Sequence, residues 1–380
     1  MNVREHIFLI HNNKDISRKM ETLFCVGTLD YKTFKGSYGI HVVRMDGEKG
    51  SLTHVSERND GYNPSFLISN KTGTGIYTVS ERLEDGALTF YHLNGEELLF
   101  KSALNLPGEG CVHAQMSPDQ RFILVACWKT ANVIVCSLDS KGVPTEVVCN
   151  VRMPDGHGPL ERQTQPNPHQ VVFDPSGRWV AIPDLGADRI HLASYEPISG
   201  ELTLRHRANV APGGGPRHLV FHPTNGCLYL FTEMDTAIYV FGFDQQSGEL
   251  SFKQKTCLLP KALLERAEIQ GAEIQISPDG KYVFASVRGY YRNGQDQIFR
   301  LTINEHDGSV HSPVCFPCGG KCPRMFEFTP DHRFIIVCNQ ADHEVVSLEY
   351  EEKHGTIGKV CGRVHVPEAA AVTSAVITNP

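Results

Sequence analysis

The sequence contains no apolar run longer than a single β-strand, so no segment is long enough to cross a membrane as a helix. It also has no excess of positive charge, because 36 Lys and Arg residues are outnumbered by 43 Asp and Glu residues. A net charge of −7 gives no indication of a nucleic-acid-binding surface. Near the N-terminus, "HIFLIH" is too short for the apolar core of a secretory signal peptide. We therefore expect a cytoplasmic protein that binds neither nucleic acid nor a membrane.

Helical periodicity is scarce, and only "PKALLERAEIQ" (residues 260–270) predicts a short helical turn. The glycine-rich stretch "APGGGPRHLVFHP" (residues 211–223) is followed by strand-like sequence rather than by the start of a helix. A phosphate cradle needs a helix after its glycines, because the helix N-terminus meets the phosphate. The stretch therefore predicts a turn that brings Arg217 and His218 to the start of a strand, and we expect no cofactor.

Most of the twelve cysteines lie in apolar runs such as "FILVACW" and "VIVCSL", which is typical of reduced, buried thiols. The exception is "CFPCGGKC", which holds Cys315, Cys318 and Cys322. No second Cys or His pair follows at a zinc-type spacing, so loop cysteines beside a strand are favoured over a metal site. We expect no metal.

One pattern recurs along the chain: a short apolar strand, a proline-centred turn, and then two or three further strands. It can be read in "VHAQMSPDQRFILVACW", "HQVVFDPSGRWVAIPD" and "EIQISPDGKYVFASVR". The turn prolines lie about 50 residues apart, at Pro118, Pro175, Pro223, Pro278 and Pro330. A degenerate earlier copy has Lys71 in place of the proline. Four antiparallel strands at this period predict the blades of a β-propeller.

Six copies are complete, and both ends of the chain supply a seventh. "LFCVGTLD", "GIHVVRMD" and "GSLTHVSE" resemble the last three strands of a blade, and the C-terminal "AAVTSAVIT" resembles the missing first strand. The sequence therefore predicts an all-β, seven-bladed propeller whose four-stranded antiparallel blades include one closed by both chain ends. It would form a single domain over residues 20–380, after an N-terminal extension of residues 1–19.

The first two strands of each blade form a hairpin, so the start of the first and the end of the second lie at the same end of the blade. Counting from the turn proline, we expect polar residues of different blades to converge there: His169, Arg217, His218, Glu273, Arg324, Asp184, Glu233 and Arg288, with Glu81. Asp184 also fits an ordinary turn with Asp188, and Trp128 is expected to pack. Cations and carboxylates around one hollow favour a small anionic ligand with acid–base chemistry beside it.

These stretches, above all "PHQVVFDPSGRWVAIPD", "GGGPRHLVFHP" and "GAEIQISPDGKYVFASVRG", make the sequence similar to the seven-bladed propeller lactonases, which include 6-phosphogluconolactonases and a muconate-lactonizing enzyme. The resemblance extends from about residue 27 to residue 377. It implies that His169, Arg217, Glu233 and Arg288 are catalytic, that Glu273 and Arg324 bind substrate, and that no metal takes part. His218 and Asp184 join the expected substrate-binding set by register.

The implied reaction is hydrolysis of 6-phosphogluconolactone to 6-phosphogluconate, a step of the pentose phosphate pathway. His169 would carry the proton, the arginines would stabilise the oxyanion or hold the anionic group, and Glu233 would orient His169 or activate water. Two alternatives stay open. The same residue types would serve cyclisation of 3-carboxy-cis,cis-muconate, and a propeller can act as a non-catalytic binding scaffold.

Overall fold

The computed structural model describes residues 21–34, 36–264, 269–289 and 296–378. The expected N-terminal extension, residues 1–19, lies outside the described residues. Those that are described form seven separate sheets of four antiparallel strands, which confirms the predicted propeller. Helix is almost absent from the described residues, with α1 (Lys261–Leu264) and a 3-10 turn (Gln340–Asp342). The position of α1 agrees with the helical turn predicted within residues 260–270.

The strands follow the repeat along the chain, and we number the blades from the first complete copy. Blade seven begins with β1 (Glu21–Thr28), β2 (Ile40–Asp46) and β3 (Leu52–Arg58). Blade one contains β4 (Pro64–Ser69), β5 (Gly75–Ser80), β6 (Gly86–Asn94) and β7 (Glu97–Leu106). Blade two contains β8 (Cys111–Met116), β9 (Phe122–Cys127), β10 (Asn132–Leu138) and β11 (Pro144–Arg152). Blade three contains β12 (Val172–Phe173), β13 (Trp179–Asp184), β14 (Arg189–Tyr195) and β15 (Leu202–Asn209).

The remaining blades repeat the same order. Blade four contains β16 (Pro216–Phe221), β17 (Cys227–Thr232), β18 (Ala237–Phe243) and β19 (Leu250–Cys257). Blade five contains β20 (Ile269–Ile276), β21 (Tyr282–Gly289), β22 (Gln297–Ile303) and β23 (Val310–Pro317). Blade six contains β24 (Pro323–Phe328), β25 (Phe334–Asn339), β26 (Glu344–Glu351) and β27 (Thr356–His365). The last strand, β28 (Ala369–Thr378), pairs with β1 and completes blade seven, as predicted.

The core lies between the blades. Within the described part of the chain, seven clusters of buried apolar side chains occupy the seven interfaces between neighbouring blades. The second and third strands of a blade are therefore covered on both faces, and β5, β9 and β17 are buried at every position. The outer strands, such as β15, alternate between more and less exposed positions, as expected where successive side chains point to opposite faces.

The twelve cysteines are all free thiols, and eight of them are buried, as the apolar runs predicted. Cys315 is exposed on β23, whereas Cys318 and Cys322 are buried in the connection to β24. Among the described residues, these three sulfur atoms do not form a group with metal-binding spacing.

Candidate functional site

A cavity of about 480 Å³ is bordered by residues from all seven blades. It lies where the first strands begin and the second strands end. Seven of the bordering residues are Glu81, Arg162, Asn167, His169, Glu233, Arg288 and Arg324, and the other four are Tyr31, Trp128, Leu185 and Gln270. Five residues of the predicted set, Glu81, His169, Glu233, Arg288 and Arg324, are thus brought together around one cavity.

Glu233 follows β17 directly and is the centre of the charged groups in this cavity. Its Oε1 atom lies 2.6 Å from Nη2 of Arg162, and its Oε2 atom lies 3.0 Å from both Nε of Arg217 and Nη2 of Arg288. Burial acts to raise the pKa of Glu233, but the three guanidinium groups hold it below its usual range. Glu233 is therefore an ionised anchor for arginines rather than a base that is free to accept a proton.

Arg217 lies beneath the cavity rather than at its border. Its guanidinium donates to Glu233, to the carbonyl oxygen of Ala272 at 2.8 Å, and contacts Nε2 of His218 at 3.2 Å. The β16–β17 ladder shifts register between Pro216 and His218, so Arg217 occupies a β-bulge. Burial and the nearby Arg288 lower its pKa to about 9, which leaves it charged at neutral pH.

The glycine-rich segment before Arg217 is a turn, as predicted, and a strand follows it. Asp188 fixes this turn, because its Oδ2 accepts from the N–H of Gly213 at 2.7 Å and its Oδ1 accepts from the N–H of Gly215 at 2.9 Å. Gly215 has a φ of 65°, a conformation that favours glycine. The turn of blade four is thereby held by a carboxylate of blade three.

His169 lies at the wall of the cavity, just before β12, and its N–H donates to the carbonyl oxygen of Pro183. Its Nδ1 atom is buried and has no hydrogen-bond partner within the described part of the chain. Burial lowers the pKa of His169 well below its usual value, and the positive charges of Arg217, Arg324 and Arg288 lower it further. The imidazole is therefore neutral at physiological pH, which is the form that accepts a proton.

A second layer of titratable groups lies below His169. The ring of His218 is 5.3 Å from that of His169 and 5.7 Å from that of His113. Nδ1 of His218 is 3.0 Å from Oε2 of Glu273, and burial raises the pKa of Glu273 to about 8. Burial, with Arg217 next to it, holds the pKa of His218 well below its usual value. His218 and Glu273 were expected to bind substrate, but the structure places them beneath the cavity as a buried pair that shares one proton.

The remaining predicted residues differ in position. Arg324 borders the cavity, and its Nη2 is 3.6 Å from Oε2 of Glu81. Asp184 does not border the cavity. Its Oδ1 accepts from the N–H groups of Asn167, Gly186 and Ala187, and its Oδ2 lies 3.3 Å from Nε2 of His191. Asp184 therefore has the turn-forming role that the sequence also allowed, and it holds the backbone of Asn167 at the cavity wall.

Sequence reasoning missed Arg162, Asn167, Gln270 and Tyr31, and it expected Trp128 only to pack. Arg162 and Asn167 belong to residues 153–171, which join β11 to β12 without any strand of their own. Loops of this length in compact domains are usually functional, so the length of this connection was an available signal. The pattern of strand ends could not reveal Arg162 and Asn167 because they lie outside the repeat.

Comparison with known proteins identifies a matching family and named relatives. Residues 24–374 match the family described as "Lactonase, 7-bladed beta-propeller". The 6-phosphogluconolactonase of Bacillus subtilis (strain 168) is 27% identical over 349 residues, which cover 91% of this chain and 97% of that protein. The 6-phosphogluconolactonase of Enterobacter sp. (strain 638) is 27% identical over 331 residues, or 86% of this chain and 92% of that protein.

A solved structure shares the fold. The periplasmic gluconolactonase PpgL of Pseudomonas aeruginosa has a TM-score of 0.83 at 24% identity, with 94% of this chain and 100% of that chain covered. None of the helices among the described residues is long and apolar enough to span a membrane. Because this neighbour is named as periplasmic, the cytoplasmic location of the present chain stays a prediction.

The named relatives support a lactonase function. With seven four-stranded blades and a match over residues 24–374, the chain belongs to the 7-bladed β-propeller lactonase family.

Proposed function

We propose that the chain hydrolyses the lactone of a phosphorylated sugar acid, 6-phosphogluconolactone, in the cavity bordered by His169, Arg288 and Arg324. The observation that carries this proposal is a neutral, proton-accepting imidazole beside fixed guanidinium groups at one cavity. Hydrolysis of that lactone is a step of the pentose phosphate pathway, and the cytoplasm is where we expect it.

The charges around the cavity suit an anionic substrate. Arg162, Arg288 and Arg324 border it, against the carboxylates of Glu81 and Glu233. Arg217 adds a fourth positive charge from below, at 3.0 Å from Glu233. The excess positive charge favours a phosphate, and guanidinium groups bind phosphate through a fixed fork of donors. A bound anion would also offset the charges that hold down the pKa of His169, making the imidazole a stronger base when substrate is present.

In the proposed reaction, the neutral imidazole of His169 takes a proton from water as the water oxygen bonds to the lactone carbonyl carbon. The carbonyl oxygen becomes an oxyanion, which Arg288 stabilises. The ring C–O bond then breaks, and the departing alkoxide takes the proton back from the His169 imidazolium. The products are the open-chain carboxylic acid and a regenerated neutral histidine.

Glu233 and Arg217 have supporting parts in this mechanism. Both oxygen atoms of Glu233 are held by arginines, so it positions Arg288 instead of activating the water. Arg217 holds Glu233 from below and contributes to the positive potential at His169. Every proton transfer is thereby assigned to His169 alone, and each step uses side chains of this chain.

The test compares three substrates on the purified protein. Acid release from 6-phosphogluconolactone and from unphosphorylated gluconolactone is followed in weak buffer with the spontaneous rate subtracted, and 3-carboxy-cis,cis-muconate is followed by its absorbance. We expect the highest kcat/KM for the phosphorylated lactone, with most of that preference lost in Arg324→Gln. Equal rates for both lactones would contradict the phosphate assignment. Turnover of the muconate alone would establish the cyclase alternative, and inactivity on all three would favour the scaffold.

A further inference from the structure

Blade seven carries a group of metal-ligating side chains that the proposed reaction does not use. His41 lies on β2, and His54 and Glu57 lie on the neighbouring strand β3. Nδ1 of His41 is 3.0 Å from Nε2 of His54 and 3.5 Å from Oε2 of Glu57, and Nε2 of His54 is 3.8 Å from the same oxygen. Two imidazole nitrogens and one carboxylate oxygen therefore form the corners of a small triangle.

The size of this triangle suits a transition-metal ion. Zinc–nitrogen and zinc–oxygen bonds are about 2.0–2.2 Å long. An ion at about 2.1 Å from all three corner atoms would lie just outside the plane of a triangle with these edges. No rearrangement of the β2–β3 ladder is needed, because the register already places His41 opposite Glu57.

The contacts of His41 prepare it to act as a ligand. Its Nε2 atom lies 3.0 Å from the carbonyl oxygen of Tyr38. Because a carbonyl oxygen can only accept, Nε2 carries the proton, and the lone pair of Nδ1 points into the triangle. A hydrogen bond from the other ring nitrogen to a backbone carbonyl is usual for metal-binding histidines. His41 is 4% exposed, so its ring is held in place by the surrounding residues.

We propose that His41, His54 and Glu57 bind one divalent transition-metal ion, such as Zn²⁺, Co²⁺ or Ni²⁺. Imidazole donors select for these metals over Mg²⁺ and Ca²⁺, which prefer oxygen ligands. The side chains of His54 and Glu57 are 34% and 67% exposed, so water can complete the coordination. The site is distinct from the cavity of His169, with which it shares no side chain.

The carbonyl of Tyr38 connects this site to the segment between β1 and β2. The same segment carries Tyr31, which borders the cavity. A metal ion would fix the ring of His41 and with it the end of this segment next to β2. We infer that the ion has a structural role and tightens the edge of blade seven.

The test uses Co²⁺ and Zn²⁺ on the chelator-treated full chain. Equilibrium dialysis with Co²⁺ should show one more bound equivalent in the wild type than in His54→Ala or Glu57→Gln, and Zn²⁺ should raise the Tm of the wild type only. Both substitutions are at exposed positions, so the variants should fold. His354→Ala is the matched control, because His354 is an exposed histidine 2.7 Å from Glu351 and should leave the Co²⁺ stoichiometry unchanged.

Two results would overturn the proposal. One is equal Co²⁺ binding by the wild type and by His54→Ala, which would place any bound ion elsewhere. The other is an intense near-ultraviolet thiolate band in the Co²⁺ spectrum that persists in both variants, since thiolate ligands are absent from the proposed set.

Discussion

The hairpin formed by the first two strands of a blade has a turn end and a cavity end, and the two ends differ in how far their contacts are repeated from blade to blade. At the turn end, the residue before the turn bonds to the residue two positions after it in each of blades one to six: Asn70 with Thr72, Ser117 with Asp119, Asp174 with Ser176, His222 with Thr224, Ser277 with Asp279, and Thr329 with Asp331. The residue types vary, but each pair closes the same kind of turn.

At the cavity end, the equivalent positions share neither a residue type nor a set of contacts. The second strands of blades one to six end in Glu81, Trp128, Asp184, Glu233, Arg288 and Asn339. They include a cation, carboxylates, an amide and an indole, and their contacts differ from blade to blade. A feature repeated in all six blades whose first two strands are joined by a turn serves the fold, which these blades have in common. Four of the six differing residues, Glu81, Trp128, Glu233 and Arg288, border the one cavity, so this variation serves the site rather than the fold.

Removing the proton acceptor of the cavity is the strongest test of this contrast. His169→Gln should lower kcat by about 10²–10⁴-fold, which is the usual contribution of a general base. Because Nδ1 of His169 has no partner in the described part of the chain, the Tm should change little. Steady-state kinetics and thermal unfolding of the same preparation measure both effects. A variant with wild-type kcat would remove His169 from the mechanism.

Glu233→Gln should break the contrast, since this residue supports both activity and folding. The change leaves the buried guanidinium groups of Arg217 and Arg288 without their anion. Removing one partner of a buried ion pair costs about 3–5 kcal/mol, and the displaced Arg288 should also lower kcat. Urea unfolding measures the loss. Glu344→Gln is the control, because its pair with Arg363 is exposed and should cost about 1 kcal/mol or less.

The buried pair below the cavity should appear in the pH dependence of stability. Glu273 has a pKa of about 8 in the folded protein, so between pH 6.5 and 8 the folded chain keeps a proton that the unfolded chain has lost. Stability should therefore fall as the pH rises through this range, by about 1–2 kcal/mol from this group. Glu273→Gln should reduce the fall by that amount in urea unfolding. An identical slope in both proteins would contradict the assignment.

A change at the turn end should have the smallest effect and should leave the activity intact. Ser277→Ala removes the hydroxyl that donates to Asp279 at 2.7 Å and accepts from the N–H of Tyr282 at 3.0 Å. We expect a loss of about 1 kcal/mol in unfolding free energy and an unchanged kcat/KM. A large loss of activity in a folded Ser277→Ala protein would show that the two ends are not separable.

The fold could be predicted because its signal is repeated. The turns at Pro118, Pro175 and Pro278 each predict the same hairpin, and the stretches around Phe24 and Val372 supply the strands that one blade lacked. The register of these hairpins also brought His169, Glu233, Arg288 and Arg324 to one end, and the structure groups them around one cavity.

The finer geometry of the candidate site could not be predicted from that register. Arg217 and Arg324 both lie at a register shift of their hairpins, yet Arg324 borders the cavity and Arg217 does not. The difference lies in their partners, because Glu233 and the carbonyl oxygen of Ala272 hold the Arg217 guanidinium beneath the cavity. Asp184 is at the expected strand end, but three backbone N–H groups occupy its carboxylate. Arg162 reaches Glu233 from a long loop, for which the repeat makes no prediction.

The pairing of β28 with β1 also has a consequence for how the chain is made. During translation, six blades and three strands of the seventh can form before residues 369–378 leave the ribosome. Until then β1 has an unpaired edge, of the kind that other chains can bind. Blades one and six also lack their hydrogen bonds to β28 until then, since Ser69 and Glu327 hydrogen-bond to the backbone of Ser374. We therefore expect the nascent protein to pass through an incomplete propeller with an exposed strand edge. Chaperones would matter most at that stage.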